Sequence, residues 1–148
     1  MEFEKALKCF DGIPFFKGFS KEERRFLASL DCSLCHFAHG EFVIRRGETD
    51  RTLFILLEGK VSITYDRPSE ITITQLRQGA IFGEASLISK RNRTTNVVAD
   101  GNISVLKMDG EMISRLNPYL VNKIKDKVID LLVQRLDLMN ERFVEKFG

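Results

Sequence analysis

A glycine-led segment in the middle of the chain carries residue types that together favour an anion. Gly83 and Glu84 begin a short helix-like run between two predicted strands. If that run forms a helical turn, the free backbone N–H groups near Glu84, Ala85 and Ser86 point toward one spot and stabilise negative charge there. Arg93, returning on the next strand, would add positive charge and the forked donors that phosphate oxygens accept. The segment therefore predicts a phosphate site.

Glu84 indicates what lies beside that phosphate. A carboxylate next to an anion is repelled unless a neutral group lies between them. Because an ionised carboxylate only accepts hydrogen bonds, a ribose 2′-OH that donates to Glu84 fits this position. Taken singly, Glu84 could be a solvated turn residue and Arg93 a surface charge, since charged side chains are mostly exposed. Taken together, the two residues favour a ribonucleotide phosphate.

The cysteines raise a different chemical hypothesis. Cys32, Cys35 and His36 have the spacing that attaches a c-type haem, and Cys9 could add a metal ligand. Haem attachment takes place outside the cytoplasm, and one cysteine pair with two histidines falls short of a zinc pattern. We therefore expect reduced, structural thiols, with no metal and no cofactor.

The elements that position the phosphate segment follow from two changes in sequence pattern. Apolar residues over about 3–30 recur at near-helical spacing, and Ser20 with Glu23 forms a capping box, which predicts two short helices around a turn. From about 36 to 109, glycines separate short β-branched and aromatic runs, which predicts a many-stranded antiparallel roll or barrel. The predicted strands are Phe42–Ile44, Leu53–Leu57, Val61–Tyr65, Ile71–Leu76, Val97–Ala99 and Ile103–Met108.

The C-terminal region, about 110–147, is predicted to be helical. Asn117 and Pro118 provide a cap and a first turn for a long helix that runs toward Phe147. Its apolar positions recur at three- and four-residue steps: Leu120, Ile124, Val128, Leu131, Leu132, Leu136, Met139, Phe143 and Phe147. This apolar face either packs on the roll along its whole length, or part of it stays exposed and forms a dimer contact or covers a ligand.

The composition and charge limit the classes of protein to which this chain can belong. The 148 residues suit a single domain, 1–148, and 43% hydrophobic with 30% charged residues is ordinary for a globular protein. A net charge of +2 indicates neither a nucleic-acid-binding nor a membrane-binding surface. The first residues lack the apolar core of a signal peptide, and no run is long and apolar enough to cross a bilayer. We therefore expect a cytoplasmic protein.

Several motifs, in the same order, resemble those of the cyclic-nucleotide-binding domain family, which includes kinase regulatory subunits, gated channels and bacterial catabolite activator proteins. The segment 82–97, with Phe-Gly-Glu at its start and Arg93 after a short loop, is similar to the family's phosphate-binding cassette. The resemblance covers about 13–136 and includes an entry turn at 13–20, a first hairpin at 40–48 and a strand pair at 53–61.

The resemblance implies an antiparallel jelly roll (double-stranded β-helix) flanked by helices, which binds cAMP or cGMP without catalysis. It further implies that Glu84 binds the ribose hydroxyl, that Arg93 binds the cyclic phosphate and that the C-terminal helix moves when the ligand arrives. The implied ligand-binding residues are Phe82, Gly83, Glu84, Ala85, Ser86, Arg93, Thr94 and Thr95. The implied partners are a cyclic nucleotide and an effector protein, with a homodimer through the C-terminal helix also open.

The chain departs from the family pattern near the arginine. Many members have proline just before it and alanine two residues after it, where this chain has Asn92 and Thr95. The departures bear on affinity more than on ligand class, because they make the loop less rigid and more crowded. Thr94 resembles a position where cGMP-selective members use a threonine hydroxyl, but some cAMP-responsive channels also have threonine there. The choice of nucleotide stays open with a slight preference for cAMP. The alternative for both threonines is that they are ordinary strand residues, since threonine is common in strands.

Three other functions would each require features of their own in the sequence. A transcription factor of the catabolite-activator type needs a helix-turn-helix after the long helix, and none precedes Gly148, so direct DNA binding is not expected. An enzyme needs a nucleophile with a base, a metal-ligand set or paired carboxylates, and no residues fill those roles. A family fold whose site has decayed into a protein-interaction scaffold is the alternative, which retention of Glu84 and Arg93 disfavours.

Overall fold

The computed structural model describes residues 2–30, 32–65, 72–85, 89 and 91–147. The helices are α1 (Glu2–Asp11), α2 (Lys21–Ala28), α3 (Gly110–Ser114) and α4 (Pro118–Phe147), and Pro14–Phe16 forms a 3-10 turn. The strands are β1 (Cys32–Phe37), β2 (Phe42–Ile44), β3 (Thr52–Thr64), β4 (Thr72–Arg77), β5 (Ile81–Phe82) and β6 (Asn96–Asp109). This order confirms the predicted fold class, a mainly β fold with N-terminal helices and a long C-terminal helix.

These six strands belong to one antiparallel sheet. Its main path is β1-β6-β3-β4, while β2 pairs with β6 and β5 pairs with β3. β3 and β6 pair from Thr52 opposite Asp109 to Thr64 opposite Asn96. Register shifts on either side of Glu58 bend this long pair, as bulges do.

β3 is one bent strand where the sequence predicted two, at Leu53–Leu57 and Val61–Tyr65. Gly59 resembles a turn residue in the sequence, but it lies within the strand with φ +89°. A Cβ at Gly59 would lie 2.7 Å from the Asn102 carbonyl oxygen, so only glycine permits this close approach of the two strands. Gly59 therefore marks a bulge and not a turn.

The other strand predictions differ from the structure in their limits. The predicted strands at 97–99 and 103–108 are both parts of β6. β1 begins at Cys32, before the strand region expected from about 36. The predicted strand at 71–76 corresponds to β4, and its residue 71 lies outside the described residues.

β3 separates two apolar clusters. Because side chains alternate along a strand, Leu53 and Ile55 pack with the helices, whereas Phe54 and Leu56 pack inside the roll. All four side chains are buried, which explains why this part of β3 is a continuous apolar run. Burying each such side chain contributes about 1.5–3 kcal/mol to stability.

Aromatic packing and a helix cap fix the N-terminal helices. The ring centroids of Phe10 and Phe16 lie 4.2 Å apart, and Phe19 packs against Phe16 at 5.8 Å. At the start of α2, the Glu23 backbone N–H donates to Ser20 Oγ at 3.0 Å, and the Ser20 N–H donates to Glu23 Oε1 at 2.8 Å. These two bonds confirm the predicted capping box.

α4 packs on the rest of the molecule along its first half. Leu120, Ile124 and Val128 are buried, and Lys123 Nζ donates to Glu23 Oε1 of α2 at 2.7 Å. After Val128 most of the large apolar side chains are exposed. The apolar face predicted from the sequence is therefore buried up to Val128 and mostly exposed after it. Among the described helices, α4 included, none has the length and apolarity needed to cross a membrane.

The two cysteines of β1 lie on opposite faces of the sheet. Cys32 belongs to the helix-side cluster, whereas Cys35 packs against the cluster inside the roll. Their three-residue separation produces this arrangement because side chains alternate along a strand. The pair therefore cannot attach one haem. In the described ranges no three His, Cys, Asp or Glu side chains are placed to hold a metal ion.

Candidate functional site

The turn after β5 is held against β3 by an aromatic pair and a glycine. The Phe82 ring stacks on the Phe54 ring, with centroids 5.1 Å apart and planes at 8°. Gly83 follows with φ +80°, and a Cβ there would lie 2.7 Å from the Thr52 carbonyl oxygen. A side chain at Gly83 would be both strained and obstructed. Glycine at this position therefore lets the turn lie directly on β3.

The Arg93 backbone pairs with the loop before β3. Its N–H donates to the Glu48 carbonyl at 2.7 Å, and the Gly47 N–H donates to the Arg93 carbonyl at 2.8 Å. Gly47 has φ +93°, a conformation that favours glycine. These two bonds direct the arginine side chain inward, and only 8% of the residue is exposed.

The Arg93 guanidinium binds three oxygen atoms. Nη1 donates to the Gly83 carbonyl at 2.9 Å, while Nη2 donates to the Thr52 carbonyl at 2.7 Å and to Asp50 Oδ1 at 2.9 Å. Nε is buried and has no hydrogen-bond partner among the described groups. A buried donor without an acceptor costs about 1–3 kcal/mol, so an incoming anionic acceptor would relieve this cost.

Asp50 is the counter-ion of Arg93. Burial raises the pKa of the Asp50 carboxyl, but the hydrogen bonds from Arg93 and from the Thr52 N–H outweigh it, and the net pKa lies below the ordinary value. Asp50 is therefore ionised at neutral pH. A phosphate that reaches Arg93 therefore meets a guanidinium whose Nη2 already donates to a carboxylate.

Glu84 is buried and pairs with a residue from the C-terminal helix. Only 6% of Glu84 is exposed, and its Oε1 accepts a hydrogen bond from Arg135 Nη1 at 2.5 Å. Arg135 Nη2 donates to the Ile81 carbonyl of β5. Arg135 of α4 therefore neutralises the Glu84 carboxylate, for which the sequence predicted a sugar hydroxyl as the partner.

The structure brings four of the residues proposed from the sequence to this turn, namely Phe82, Gly83, Glu84 and Arg93. Ala85 and Thr94 are exposed, and Thr95 is half-buried. The Ser89 N–H donates to the Ala85 carbonyl at 2.9 Å. Ser86 lies outside the described residues.

Sequence reasoning missed two members of the site, Asp50 and Arg135. Arg135 lies seven residues after Val128 and on the same face of α4. A charged residue in line with the packing face could have indicated a buried ion pair with the roll. Asp50 gave no comparable signal, because it is one of several polar residues before β3. Three residues of the predicted apolar face of α4 lie near Arg135: Leu131 and Leu132 pack against the helix-side cluster, and Met139 is exposed.

Fold and site together define a β-roll domain in which a buried guanidinium and a buried carboxylate flank one turn. The family model described as "Cyclic nucleotide-binding domain" matches residues 34–116, more than half of the chain. The chain therefore belongs to the cyclic nucleotide-binding domain family.

Individual relatives agree with this assignment. The chain is 27% identical over 139 residues to the cAMP-dependent protein kinase type II regulatory subunit of Drosophila melanogaster, covering 93% of this chain and 35% of the relative. It is 36% identical over 93 residues to human cGMP-dependent protein kinase 2, covering 58% of this chain and 12% of the relative. The chain thus spans about a third or less of these two relatives.

A solved structure supports the same fold over the whole chain. A cyclic nucleotide-binding domain from Methylobacillus flagellatus KT is similar with a TM-score of 0.82 and 27% identity, covering 99% of this chain and 84% of that one. The jelly-roll fold implied by the sequence resemblance is therefore confirmed.

Proposed function

We propose that this chain binds cAMP or cGMP, with Arg93 on the cyclic phosphate and Glu84 on the ribose 2′-OH. The observation that carries the proposal is that both side chains are buried at the turn around Gly83, although charged side chains are rarely buried without a functional or structural partner. The proposed function is regulatory and includes no catalytic step.

The charge of Arg93 supports the phosphate assignment. Asp50 neutralises the guanidinium through Nη2 only, while Nε stays buried without a described partner. A phosphate oxygen bound at Nε would supply the missing acceptor without removing Asp50 first. The flanking residues Phe82, Gly83, Ala85, Ser86, Thr94 and Thr95 are proposed to line the rest of the ligand site. Thr94 leaves the choice between adenine and guanine open.

The Glu84–Arg135 pair supports a signalling role for α4. A ribose hydroxyl on Glu84 would share or replace the contact that Arg135 makes. Because a ligand shifts an equilibrium only through unequal affinity for two states, competition for one carboxylate gives the nucleotide a direct effect on the position of α4. We propose that this movement carries the signal to an effector protein in the cytoplasm.

The same contacts support a second candidate, a protein-interaction scaffold. Asp50 and Arg135 already neutralise both charges of the proposed site. A site that satisfies its own charges can persist without a ligand, since each buried charge has a partner. In this scaffold, the pairs would be structural and α4 would be fixed.

Isothermal titration of the full chain separates the two candidates. Titrations with cAMP, cGMP, 5′-AMP and adenosine test whether a cyclic phosphate is required, since adenosine has the ribose hydroxyl but no phosphate. We expect heat with a cyclic nucleotide and none with adenosine. Absence of heat with all four compounds would support the scaffold.

A 2′-deoxy cyclic nucleotide tests the role of Glu84. It should bind more weakly than the parent nucleotide to the unaltered chain, because the donor to Glu84 is missing. A Glu84→Gln variant should bind the two nucleotides with nearly equal affinity. If the variant discriminates as strongly as the unaltered chain, the ribose lies elsewhere.

A further inference from the structure

A cleft between α1 and α2, on the helical side of the molecule, has a volume of about 390 Å³. Small-molecule sites in proteins typically have volumes of about 300–1,000 Å³, so the cleft is large enough for a small ligand. Five residues line it: Leu7, Asp11, Lys21, Arg24 and Arg25. These five residues are all different from those around the Gly83 turn, so the cleft is separate from the nucleotide site proposed above.

The three basic side chains share one wall of the cleft because of their spacing on α2. Arg24 and Arg25 follow Lys21 by three and four residues, so each has its Cβ about 5–6 Å from that of Lys21. Leu7 and Asp11 are four residues apart on α1 and form the opposite wall. A molecule in the cleft therefore meets a cationic wall on α2 and a mixed wall on α1.

The positive charge of the α2 wall is only partly balanced. Asp11, the carboxylate in the lining, lies 3.9 Å from Arg24 Nε, which is too long for a hydrogen bond. Arg25 lies over the Phe3 ring, 5.6 Å from its centroid, and this contact leaves the guanidinium charged. Among the described residues, neither Lys21 nor Arg25 forms an ion pair with a carboxylate. Three positive charges against one negative charge leave the lining with an excess of two.

Lys21 occupies a position that reduces the stability of the fold. It is the first residue of α2, where the helix dipole favours acidic side chains and disfavours a cation. It also precedes Arg25 by four residues, and like charges at that spacing repel each other. Local departures from stability of this kind are expected at functional sites. An anion bound between the two side chains would offset both unfavourable effects.

We propose that the cleft binds a small organic anion with at least two negative charges and a hydroxyl group, the chemistry shared by sugar phosphates and hydroxy acids such as citrate. Two negative charges match the excess charge of the lining, and the guanidinium donors fit phosphate and carboxylate oxygens alike. The Asp11 carboxylate accepts a hydrogen bond from the hydroxyl group. The half-buried Leu7 side chain packs against the carbon frame of the ligand.

Titrations followed by the amide signals of the isotope-labelled full chain test this site. Glucose 6-phosphate, citrate and inorganic phosphate are compared at constant ionic strength, which removes the general effect of salt. Glucose 6-phosphate or citrate should shift the amide signals of 7–11 and 21–25, and the tighter of the two identifies the anionic group. Inorganic phosphate lacks the hydroxyl on a carbon frame, so it should bind about fivefold or more weakly than the tighter organic probe.

Substitutions on α2 separate binding from folding. Lys21→Gln should weaken binding of the tighter probe about fivefold or more, yet raise the melting temperature of the ligand-free chain slightly, because it removes an unfavourable charge. Arg24→Gln should weaken binding about tenfold or more, because the forked donors are lost. Arg77→Gln, at an exposed position on β4, is the matched control and should bind the probe as tightly as the unaltered chain.

Absence of shifts with both organic probes overturns the proposal, as does an equal effect of Arg24→Gln and Arg77→Gln. Inorganic phosphate that binds as tightly as the organic probes overturns the assignment to an organic ligand. A melting temperature lowered by Lys21→Gln would make that residue structural and contradict its role in the site. Arg24→Gln should leave the affinity for a cyclic nucleotide unchanged, and none of the probe titrations requires nucleotide binding. The cleft and the nucleotide site are therefore tested independently.

Discussion

Arg135 of α4 is hydrogen-bonded to the buried carboxylate of Glu84, 51 residues earlier in the chain. The Arg135 side chain is one-quarter exposed, whereas Glu84 is almost fully enclosed. The pair therefore joins α4 to the turn after β5. Because the carboxylate has little access to water, its main source of stabilisation is this guanidinium.

Removing Arg135 should release α4 in the absence of ligand. In an Arg135→Gln variant, amide hydrogen exchange over 129–147 should accelerate about tenfold or more, because a charge-assisted hydrogen bond is worth about 1.5–3 kcal/mol. Glu141→Gln, an exposed change on the same helix, should leave exchange unchanged. Equal exchange in all three proteins would mean that the pair does not hold the helix.

Arg93 should dominate nucleotide affinity. Arg93→Ala should weaken binding of the preferred cyclic nucleotide tenfold or more, because the phosphate charge loses its forked donor. Arg91→Ala removes the same side chain from an exposed position two residues away and should have little effect in the same titration. Arg93→Lys keeps the positive charge but lacks the forked donors of the guanidinium, so it should bind with intermediate affinity. The lysine variant keeps the test valid if the alanine variant folds poorly. Unchanged affinity in both Arg93 variants would place the phosphate elsewhere.

Gly83→Ala should destabilise the fold more than Gly79→Ala. Both glycines have positive φ, at +80° and +92°, so both variants pay a similar backbone cost. Only at Gly83 would the new Cβ meet the Thr52 carbonyl at 2.7 Å, while at Gly79 nothing lies within 4 Å. The difference in unfolding free energy, measured in urea, should be about 1–3 kcal/mol. A difference near zero would mean that the turn can move away from β3.

The link between α2 and α4 should weaken in acid. The hydrogen bond from Lys123, followed by that from the Ser20 N–H, lowers the pKa of Glu23 from its ordinary value of 4.5. A carboxylate whose pKa is lowered by folding adds stability above its unfolded pKa and loses that contribution as the pH falls through the folded pKa. Glu23→Gln should therefore cost about 1 kcal/mol at pH 7 and progressively less below pH about 4.5.

Glu22→Gln is the matched control for this pH dependence, because Glu22 is exposed on the first turn of α2 and lies outside the capping box. Its effect on unfolding free energy should be smaller and should not follow the same pH profile. A Glu23→Gln penalty that is constant from pH 7 to pH 3 would contradict the role assigned to ionised Glu23.

The fold and half of the site could be predicted because their signals are local. The glycine and arginine of the turn are close in sequence, and the cap at Ser20 needs only four consecutive residues. Arg135 could not be assigned to Glu84, because a helical pattern shows which side chains share a face but not which strand that face meets. The strands predicted at Leu53–Leu57 and Val61–Tyr65 could not be joined into one for a related reason. A positive-φ glycine serves equally in a turn or in a bulge, and the nearness of Asn102 decides between them.

The oxygens that accept hydrogen bonds from Arg93 differ in whether a substitution removes them. Two of the three belong to the main chain, at Thr52 and Gly83, and only Asp50 contributes a side chain. Substituting Thr52 leaves its carbonyl in place, so the arginine would keep that acceptor whatever side chain stands there. Substituting Asp50 removes the one charged acceptor among the groups that the structure describes around Arg93. Among the described contacts, a substitution at Asp50 therefore changes the charge beside the guanidinium. The two main-chain carbonyls keep the guanidinium in the same position.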